Sequence, residues 1–507
     1  MSGTKHREVF PAMLKQVGRV DFQLLAFGTE IIELRAKLKE LKNSAYNPDG
    51  SFDTSPAGSI AVQEMGKLED KLKKLKPTQK QIIVLGVDYL LNLCKANEWQ
   101  LAAQHGRVYV YNGAYWQAVD ENDLKQFLGQ ALEKMGVRFV DAKYFRFRDD
   151  LTKQFFTIAH LPAPERERGT VCINLKNGTL AVGTDGVQLR EAKAEDFLRY
   201  QLGFDYDPAA TAPRWLAFLC EMLPDPEAQR VLAEALALAF VPSSVLKLER
   251  VPVLLGGGEN GKSVFISVGT AVFGRANVSG LSLKELTSNP NARASLQDVL
   301  MNFSSEIGGI ADSEVFKLLG SNEPVSAKIL YQDVHTMEDY GRLFCNANKL
   351  PAEVENSHAF FRRFLIIPFS VTVDPAKKDT NLSKKIIETE LPGVLNWVLE
   401  GLARLLKQND FSPCRAADQA LQQYRHESNT VSLWLEDASY TVSTSGHELP
   451  RGTMLNEYQA FCKAEGFKAV GGKVFSQRMQ AAGFEKYRKS GGYFYPAIKG
   501  GQDAQPF

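Results

Sequence analysis

The chain has 507 residues, which is more than one compact core normally holds, so we expect several domains. Its composition, with 44% hydrophobic and 23% charged residues and a net charge of +1, is that of an ordinary soluble globular protein. The six cysteines are scattered singly, without the C-x-x-C pairs of a zinc ribbon or a redox site, and we interpret them as reduced thiols. The sequence has no signal peptide and no apolar run of about 18 residues, so we expect a cytoplasmic protein without a membrane partner.

The first part of the chain, residues 1–78, predicts a helical arm and a linker. Apolar residues recur at helical spacing over 22–41, the segment 43–59 is rich in turn-forming residues, and a second charged helix over 65–76 stops at Pro77. Two interpretations stay open for these helices. They form an arm for oligomerisation or partner docking, or they are solvated helices that pack on the next domain.

Residues 79–225 predict a mixed α/β domain. The segment 107–119 alternates like a β-hairpin around Asn112-Gly113, and the segment 171–182 does so around Asn177-Gly178. The end of the domain is helical and mostly apolar.

The next segment, VPVLLGGGENGKS at 251–263, is an apolar strand that runs into a G-x-x-x-x-G-K-S loop. Glycines there let consecutive N–H groups and the N-terminus of the following helix face phosphates. Lys262 is expected to meet the β- and γ-phosphates, and the Ser263 hydroxyl to ligate Mg²⁺. The sequence therefore predicts binding and hydrolysis of ATP with Mg²⁺. The residues expected to bind ATP are Gly256, Gly257, Gly258, Glu259, Asn260, Gly261, Lys262, Ser263 and Val264.

A second buried strand is predicted over 299–303, and it ends near Glu306. An acidic residue at that tip would lie beside the Mg²⁺ and the attacking water. Glu306 is therefore the candidate general base or water orienter, and also a candidate Mg²⁺ site residue, acting through a water. These roles stay open, because Ser305 stands where many such enzymes have a second carboxylate.

Two further segments add polar residues to this predicted site. The strand in GRLFCNANKLP ends with Asn346 and Asn348, and we predict that Asn348 bonds the γ-phosphate and the water together. In HAFFRRFLIIPF, Arg362 and Arg363 precede another strand. They form either a surface salt-bridge patch or an arginine finger for the ATP of a neighbouring subunit. We favour the finger, with Arg363 ahead of Arg362.

The order GGGENGKS, NFSSE, LFCNANKLP and FFRRFLIIPF resembles a superfamily 3 helicase. More closely, it is similar to the helicase part of phage and plasmid primase-helicases and of the poxvirus primase-helicase family. Upstream, INLKNGTLAV and GFDYDPAATAPRW extend the likeness. The resemblance implies a P-loop ATPase core of the AAA+-like superfamily 3 type, at residues 226–425. It also implies a homo-oligomeric ring, expected to be a hexamer, that hydrolyses ATP at subunit interfaces and encircles DNA, in the host cytoplasm if a phage encodes it.

The resemblance further implies a hairpin that reaches into the ring channel, here the segment 323–340. Its candidate DNA contacts are Lys328, Tyr331 and His335, although they also suit ordinary loop residues. Lys317 falls where the family usually has a lysine, and we assign it no role. Family members often carry a primase domain ahead of the motor that this chain is too short to hold, so a separate primase or polymerase is an expected partner.

Residues 426–507 predict a winged-helix nucleic-acid-binding domain. Two amphipathic helices precede a β-wing around Gly491-Gly492. Basic residues outnumber acidic ones between Arg451 and Lys489, which suits phosphate contact, although basic winged helices also dock proteins. The candidate DNA contacts are Lys473, Arg478, Arg488 and Lys489.

Together these features predict an α/β protein with a P-loop ATPase core, an α/β N-terminal domain and a C-terminal winged helix. The predicted function is an ATP-dependent, ring-forming DNA helicase for replication of a phage, plasmid or mobile element, acting on single-stranded and forked DNA. The first alternative is an ATP-switched origin-binding or helicase-loading protein without unwinding activity. The second is a P-loop kinase or other small-molecule phosphotransferase.

Overall fold

The computed structural model describes residues 6–47, 50–97, 99–104, 106–160, 169–304, 307, 309–310, 312–329, 334–351, 357–374, 376, 378–467 and 469–500. The fold is mixed α/β and divides into two compact units. The first comprises residues 1–166 and 190–201, and the second comprises 167–189 and 202–507. None of the helices in the described ranges combines the length and the apolar composition that crossing a bilayer requires.

The first unit combines helices with a small antiparallel sheet of order β1-β2-β3. The predicted hairpin at Asn112-Gly113 is the β2–β3 connection, and Gly113 has a φ of 91° there. The elements of this unit are α1 (His6–Gln16), α2 (Phe22–Phe27), α3 (Thr29–Ala45), α4 (Pro56–Lys74), α5 (Gln79–Ala96), β1 (Gln100–Gln104), β2 (Arg107–Tyr111), β3 (Trp116–Val119), α6 (Glu121–Met135), α7 (Phe139–Lys143) and α8 (Phe145–Ile158).

A single hydrophobic core joins the N-terminal helix to the segment that follows residue 79. Val9 and Met13 of α1 are buried together with Val87 of α5 and Leu128 of α6. The expected boundary between residues 78 and 79 therefore falls inside a compact unit, because the apolar stripe of α1 is covered by the helices that come after it. The segment 43–59 is partly helical rather than wholly a linker.

The second unit begins with a three-stranded sheet of order β4-β5-β6 and two helices. The predicted hairpin at Asn177-Gly178 is the β4–β5 connection. These elements are β4 (Val171–Leu175), β5 (Gly178–Gly183), β6 (Gly186–Arg190), α9 (Pro213–Met222) and α10 (Pro226–Ala237).

The centre of the second unit is a five-stranded parallel sheet of order β13-β7-β12-β9-β8. Its strands are nearly continuous apolar runs, as expected for parallel strands that are covered on both faces. Its elements are β7 (Val251–Leu255), α11 (Lys262–Phe273), β8 (Val278–Ser279), α12 (Leu283–Ser288), α13 (Pro290–Ala294), β9 (Met301–Ser304), α14 (Ser313–Gly320), β10 (Val325–Lys328), β11 (Val334–Met337), β12 (Arg342–Ala347), α15 (His358–Phe361), β13 (Phe364–Pro368), α16 (Leu382–Thr389), α17 (Leu391–Gln408) and α18 (Arg415–Glu427).

The last part of the second unit has its own hydrophobic core, which contains Trp434, Tyr458 and Phe475. It contains three helices and a sheet of order β15-β17-β16, and β14 pairs with β18. The elements are α19 (Thr430–Asp437), β14 (Tyr440–Val442), β15 (Leu449–Pro450), α20 (Arg451–Ala464), α21 (Gly472–Ala481), β16 (Tyr487–Lys489), β17 (Gly492–Tyr495) and β18 (Ala497–Lys499).

Candidate nucleotide site

The glycine loop of residues 256–261 connects the carboxyl end of β7 to the N-terminus of α11. The chain crosses from β7 to the far edge of the sheet at β8, returns to β12 beside β7, and then places β13 on the other side of β7. Ligands of parallel sheets bind where the direction of the crossovers reverses in this way, outside the carboxyl ends of the strands. Gly258 and Gly261 have φ values of 107° and 80°, which ordinary residues rarely adopt.

Lys262 is the first residue of α11, directly after this loop, and its side chain is buried. Its Nζ donates to the carbonyl oxygen of Gly256 at 2.6 Å, to Asn260 Oδ1 at 2.9 Å and to Asn348 Oδ1 at 3.4 Å. Burial lowers the pKa of Lys262. Within the described part of the chain no carboxylate pairs with this ammonium group, whose partners are all neutral oxygens. A buried cation in this setting is stabilised by an anionic ligand, and phosphate oxygens fit that requirement.

Asn348 reaches Lys262 because β12 lies directly beside β7. The two strands are parallel, with Ala347 opposite Leu255, and the Gly256 N–H donates to the Ala347 carbonyl at 3.1 Å. The residue after Ala347 therefore lies level with the start of the glycine loop. Asn346, two residues earlier, has a buried Oδ1 that accepts no hydrogen bond from the described residues.

Asn260 ties the loop to the strand on the other side of β7. Its Nδ2 donates to the carbonyl oxygen of Phe369 at 3.1 Å, while its Oδ1 accepts from Lys262. A Cβ atom on Gly256 would lie 1.9 Å from this Nδ2, so only glycine fits there. The sequence predicted Asn260 as one loop residue among several and gave no signal for this bridge.

An open cavity of about 500 Å³ adjoins the loop. Its walls are the loop residues and the segment that follows β13, including Ser370 and Thr372. Glu259 holds the two walls together, because its carbonyl oxygen accepts from the Val373 N–H at 2.8 Å and its carboxylate pairs with Lys378 at 3.0 Å. The cavity is large enough for a small ligand.

The underside of the loop rests on α9. A Cβ atom on Gly261 would lie 2.8 Å from Cε2 of Phe218 and 2.9 Å from Cγ of Met222. Trp215 of the same helix stacks on Phe265 of α11, with ring centroids 5.7 Å apart. The sequence did not predict this contact, because it joins segments that are distant along the chain.

A buried carboxylate fixes the N-terminus of α9. Glu390 accepts hydrogen bonds from the backbone N–H groups of Arg214 at 3.0 Å and Trp215 at 3.1 Å. The first N–H groups of a helix have no hydrogen-bond partner within the helix, and this carboxylate accepts hydrogen bonds from two of them. Its negative charge also interacts favourably with the positive end of the helix dipole. Glu390 therefore holds α9 against the loop from a position far along the chain.

Of the two residues predicted to bind Mg²⁺, the structure describes Ser263 but not Glu306. Ser263 is exposed at the N-terminal end of α11, and Val264 follows it. Glu306 lies outside the described residues, and β9 ends at Ser304, which pairs with Cys345 of β12.

The two candidate arginines differ in their surroundings. Arg363 is buried, and its guanidinium donates to the carbonyl oxygens of Lys317, at 3.1 Å, and Ala359. Arg362 is half exposed and pairs with Glu249 at 2.7 Å. The structure thus gives the accessible position to Arg362, which the sequence analysis had ranked second, because the side chain of Arg363 turns inward against α14.

The segment predicted to contact DNA contains β10 and β11, which pair antiparallel with Lys328 opposite Val334. Lys328 is exposed, and Nε2 of His335 lies 3.3 Å from Oε1 of Gln297. Tyr331 lies outside the described residues. Lys317, on α14, pairs with Glu314 at 2.7 Å.

The candidate DNA-contacting residues near the C-terminus differ in their exposure and in their partners. Lys473 and Arg488 are exposed. Lys489 pairs with Glu448 at 2.6 Å, and that hydrogen bond raises the pKa of Lys489. Arg478 is partly buried, its pKa is lowered by burial, and its Nη1 lies 3.5 Å from the carbonyl oxygen of Ser428.

Two family models match parts of the chain. The model "D5 N terminal like" matches residues 88–224, and a family of unknown function, DUF5906, matches residues 254–363, which include the glycine loop. Both families are typical of phage and plasmid primase-helicase proteins. A search of curated proteins finds no significant match.

Similar solved structures include the C-terminal region of NrS-1. The apo structure of that region, residues 305–718, is 10% identical, with a TM-score of 0.46, over 82% of this chain and 99% of that chain. An A-form apo structure of the region is 9% identical, with a TM-score of 0.44, over 81% of this chain and 98% of that chain.

Proposed function

We propose that this protein is an ATP-dependent DNA helicase that works as a ring, expected to be a hexamer, in the replication of a phage, plasmid or mobile element. The observation that carries the proposal is the buried ammonium of Lys262, which lies at the carboxyl ends of β7 and β12 with only neutral oxygens around it in the described part of the chain. Matches to families typical of primase-helicases support the replication context.

In this proposal, the residues around the loop have different roles in phosphoryl transfer. The N–H groups of the glycine loop and of the start of α11 bind phosphate oxygens, and Lys262 neutralises their charge. Asn348 hydrogen-bonds the γ-phosphate and orients the attacking water. Asn348 Oδ1 lies 3.4 Å from Lys262 Nζ, so a phosphate bound by Lys262 would also lie beside the carboxyl end of β12.

Mg²⁺ is the expected cofactor of this reaction. Ser263 and Glu306 would hold it, and the bound ion would offset the charge that develops on the phosphate oxygens. Glu306 would also accept or orient the proton of the attacking water.

Arg362 is the residue that we assign to the ATP of the neighbouring subunit. Its guanidinium is accessible and, among the residues that the structure describes, forms a surface ion pair with Glu249, which costs little to exchange for phosphate. Arg363 instead holds β13 to α14 through backbone carbonyls. This assignment requires an oligomer, since no single subunit would complete its own site.

DNA would be contacted at two surfaces of the second unit. The hairpin of β10 and β11 presents Lys328 to solvent. The helices α20 and α21, together with the β15-β17-β16 sheet, support the winged-helix prediction, with Lys473 and Arg488 as its accessible cations. Such cations bind phosphate without reading sequence.

The deciding experiment is ATP-dependent unwinding of a forked DNA duplex by the intact protein and by Lys262→Ala. Lys407→Ala, which removes an exposed lysine at the end of α17, is the matched control. We expect unwinding and ATP hydrolysis by the intact protein and by the control, and neither by Lys262→Ala. Full hydrolysis by Lys262→Ala would reject the site.

Two other outcomes would redirect the assignment. DNA-stimulated hydrolysis without strand separation would favour the origin-binding or helicase-loading alternative. DNA-independent transfer of phosphate to a small molecule would favour a phosphotransferase.

A further inference from the structure

An exposed aromatic cluster lies in the first unit, whereas the glycine loop and the candidate DNA contacts belong to the second. It is formed by α7 and the start of α8, and we call it the aromatic patch. Four large apolar residues that are close in sequence are exposed to solvent, with exposed fractions of 55% for Phe139, 75% for Val140, 47% for Tyr144 and 61% for Phe145. Contiguous exposed apolar surface of this kind marks an interaction site more often than an ordinary surface.

Cations accompany the rings of the patch. Lys143 Nζ lies 3.8 Å from the ring centroid of Phe139, and the Arg146 guanidinium lies 5.7 Å from that of Phe145. Tyr144 and Phe145 are in edge contact, with centroids 5.1 Å apart. Asp141, the one carboxylate between residues 138 and 146, is already paired with Arg138 at 2.7 Å. The patch therefore combines flat aromatic surface with positive charge.

The patch is held rigidly by the helices beneath it. Arg148 Nε donates to the carbonyl oxygen of Ala142 at 3.0 Å, which fixes the corner between α7 and α8. A Cβ atom on Gly129 of α6 would lie 3.0 Å from the same carbonyl and 2.6 Å from Arg148 Nε, so the corner lies tightly on α6. Phe147 and Leu151 anchor α8 in the core. The exposed rings are thus presented on a fixed base.

We propose that the aromatic patch binds single-stranded nucleic acid. Bases would stack on Phe139, Tyr144 and Phe145, and backbone phosphates would pair with Lys143 and Arg146. The charge pattern favours this occupant over a second copy of the chain. A symmetric contact between two such patches would bring like charges together, and like charges in apposition oppose association. The proposal is independent of ATP hydrolysis, since no residue of the patch belongs to the nucleotide site.

The test uses the full chain, without ATP, and a fluorescent oligothymidylate as the probe. The double variant Phe139→Ala/Phe145→Ala should bind at least about tenfold more weakly, since two stacking rings are lost. Lys143→Gln/Arg146→Gln should reduce the dependence of log K on log salt by about 1.4, as expected for two lost phosphate contacts. Ile60→Ala, which truncates an exposed apolar residue on α4, is the matched control and should bind like the intact protein.

Photocrosslinking and sedimentation distinguish binding of nucleic acid at the patch from binding of a second copy of the chain. A 5-iodouracil oligonucleotide should crosslink to the peptide that contains the patch rings. Absence of that crosslink would overturn the proposal, as would unchanged affinity in the double alanine variant. If the variant dissociates an oligomer while each protomer keeps its affinity for DNA, the patch is an interface between copies instead. Since no ATP is present, these outcomes stand even if the proposed helicase activity fails.

Discussion

Replacement of Gly261 by alanine tests whether α9 supports the glycine loop. Two penalties are expected. The residue has a φ of 80°, where a side chain costs about 1–2 kcal/mol. The new methyl group would also lie 2.8 Å from Phe218 and 2.9 Å from Met222, which is closer than van der Waals contact allows, and overpacking of this kind costs about 1–3 kcal/mol. The free energy of unfolding should therefore fall by about 2–5 kcal/mol.

The steric part can be separated by a double-mutant cycle. Met222→Ala removes one of the two side chains that the new methyl group meets. The double variant Gly261→Ala/Met222→Ala should therefore lose less stability than the sum of the single variants, with a coupling of about 1 kcal/mol or more. Gly258→Ala is the matched control. Gly258 also has a positive φ, at 107°, but no atom lies within 4 Å of its Cβ position, so its coupling to Met222 should be close to zero.

Stability would be measured by urea unfolding followed by tryptophan fluorescence, and loop function by binding of a fluorescent ATP analogue. We expect Gly261→Ala to weaken nucleotide binding, and Met222→Ala to recover part of that loss. Zero coupling between positions 261 and 222, or equal coupling at 258 and 261, would refute the idea that α9 supports the loop.

Three further predictions concern individual charged residues. Glu234 is fully buried and accepts from Arg404 at 2.9 Å, so Glu234→Ala should lower the free energy of unfolding by about 3 kcal/mol in urea titrations, and a loss below about 1 kcal/mol would contradict this. Arg362→Ala should reduce ATP hydrolysis by about a thousandfold with the unfolding midpoint unchanged, whereas Arg363→Ala should lower stability; identical behaviour of the two variants would oppose the assignment. For Lys262, the native pKa lies below the ordinary value of 10.5, so the unfolded state binds more protons and the nucleotide-free protein should gain stability as pH rises from the lowered pKa towards 10.5. Lys262→Met should lack that gain in denaturation curves collected across this pH range. If the free energy of unfolding depends on pH equally in the variant and the intact protein, the lowered pKa of Lys262 is not the cause.

The strands around the loop could be predicted from the sequence because each is a short apolar run with a distinctive end. The run before the glycines, the run that ends near residue 304 and the run before Asn348 all became neighbouring parallel strands. Since the carboxyl ends of parallel strands meet at one edge of a sheet, the proximity of Asn348 to Lys262 follows from that pattern, and the two side chains lie 3.4 Å apart.

Other features depend on contacts that no local pattern contains. The inward turn of Arg363 reflects carbonyl acceptors on α14 and α15, and two adjacent arginines look alike in a sequence. The hydrogen bonds of Glu390 to the start of α9 join residues about 175 positions apart. The packing of α1 into the first unit likewise depends on helices far along the chain.

The support of the glycine loop by α9 determines where a minimal fragment that carries this loop can begin. A fragment starting at residue 226, the predicted domain boundary, would lack Trp215, Phe218 and Met222, which lie under the loop and α11. Its Phe265 would face water, and the carboxylate of Glu390 would lose the N–H groups that it binds. A stable fragment should therefore start before Pro213 and keep the whole of α9, so the end of the segment matched by "D5 N terminal like" packs as part of the domain that carries the glycine loop.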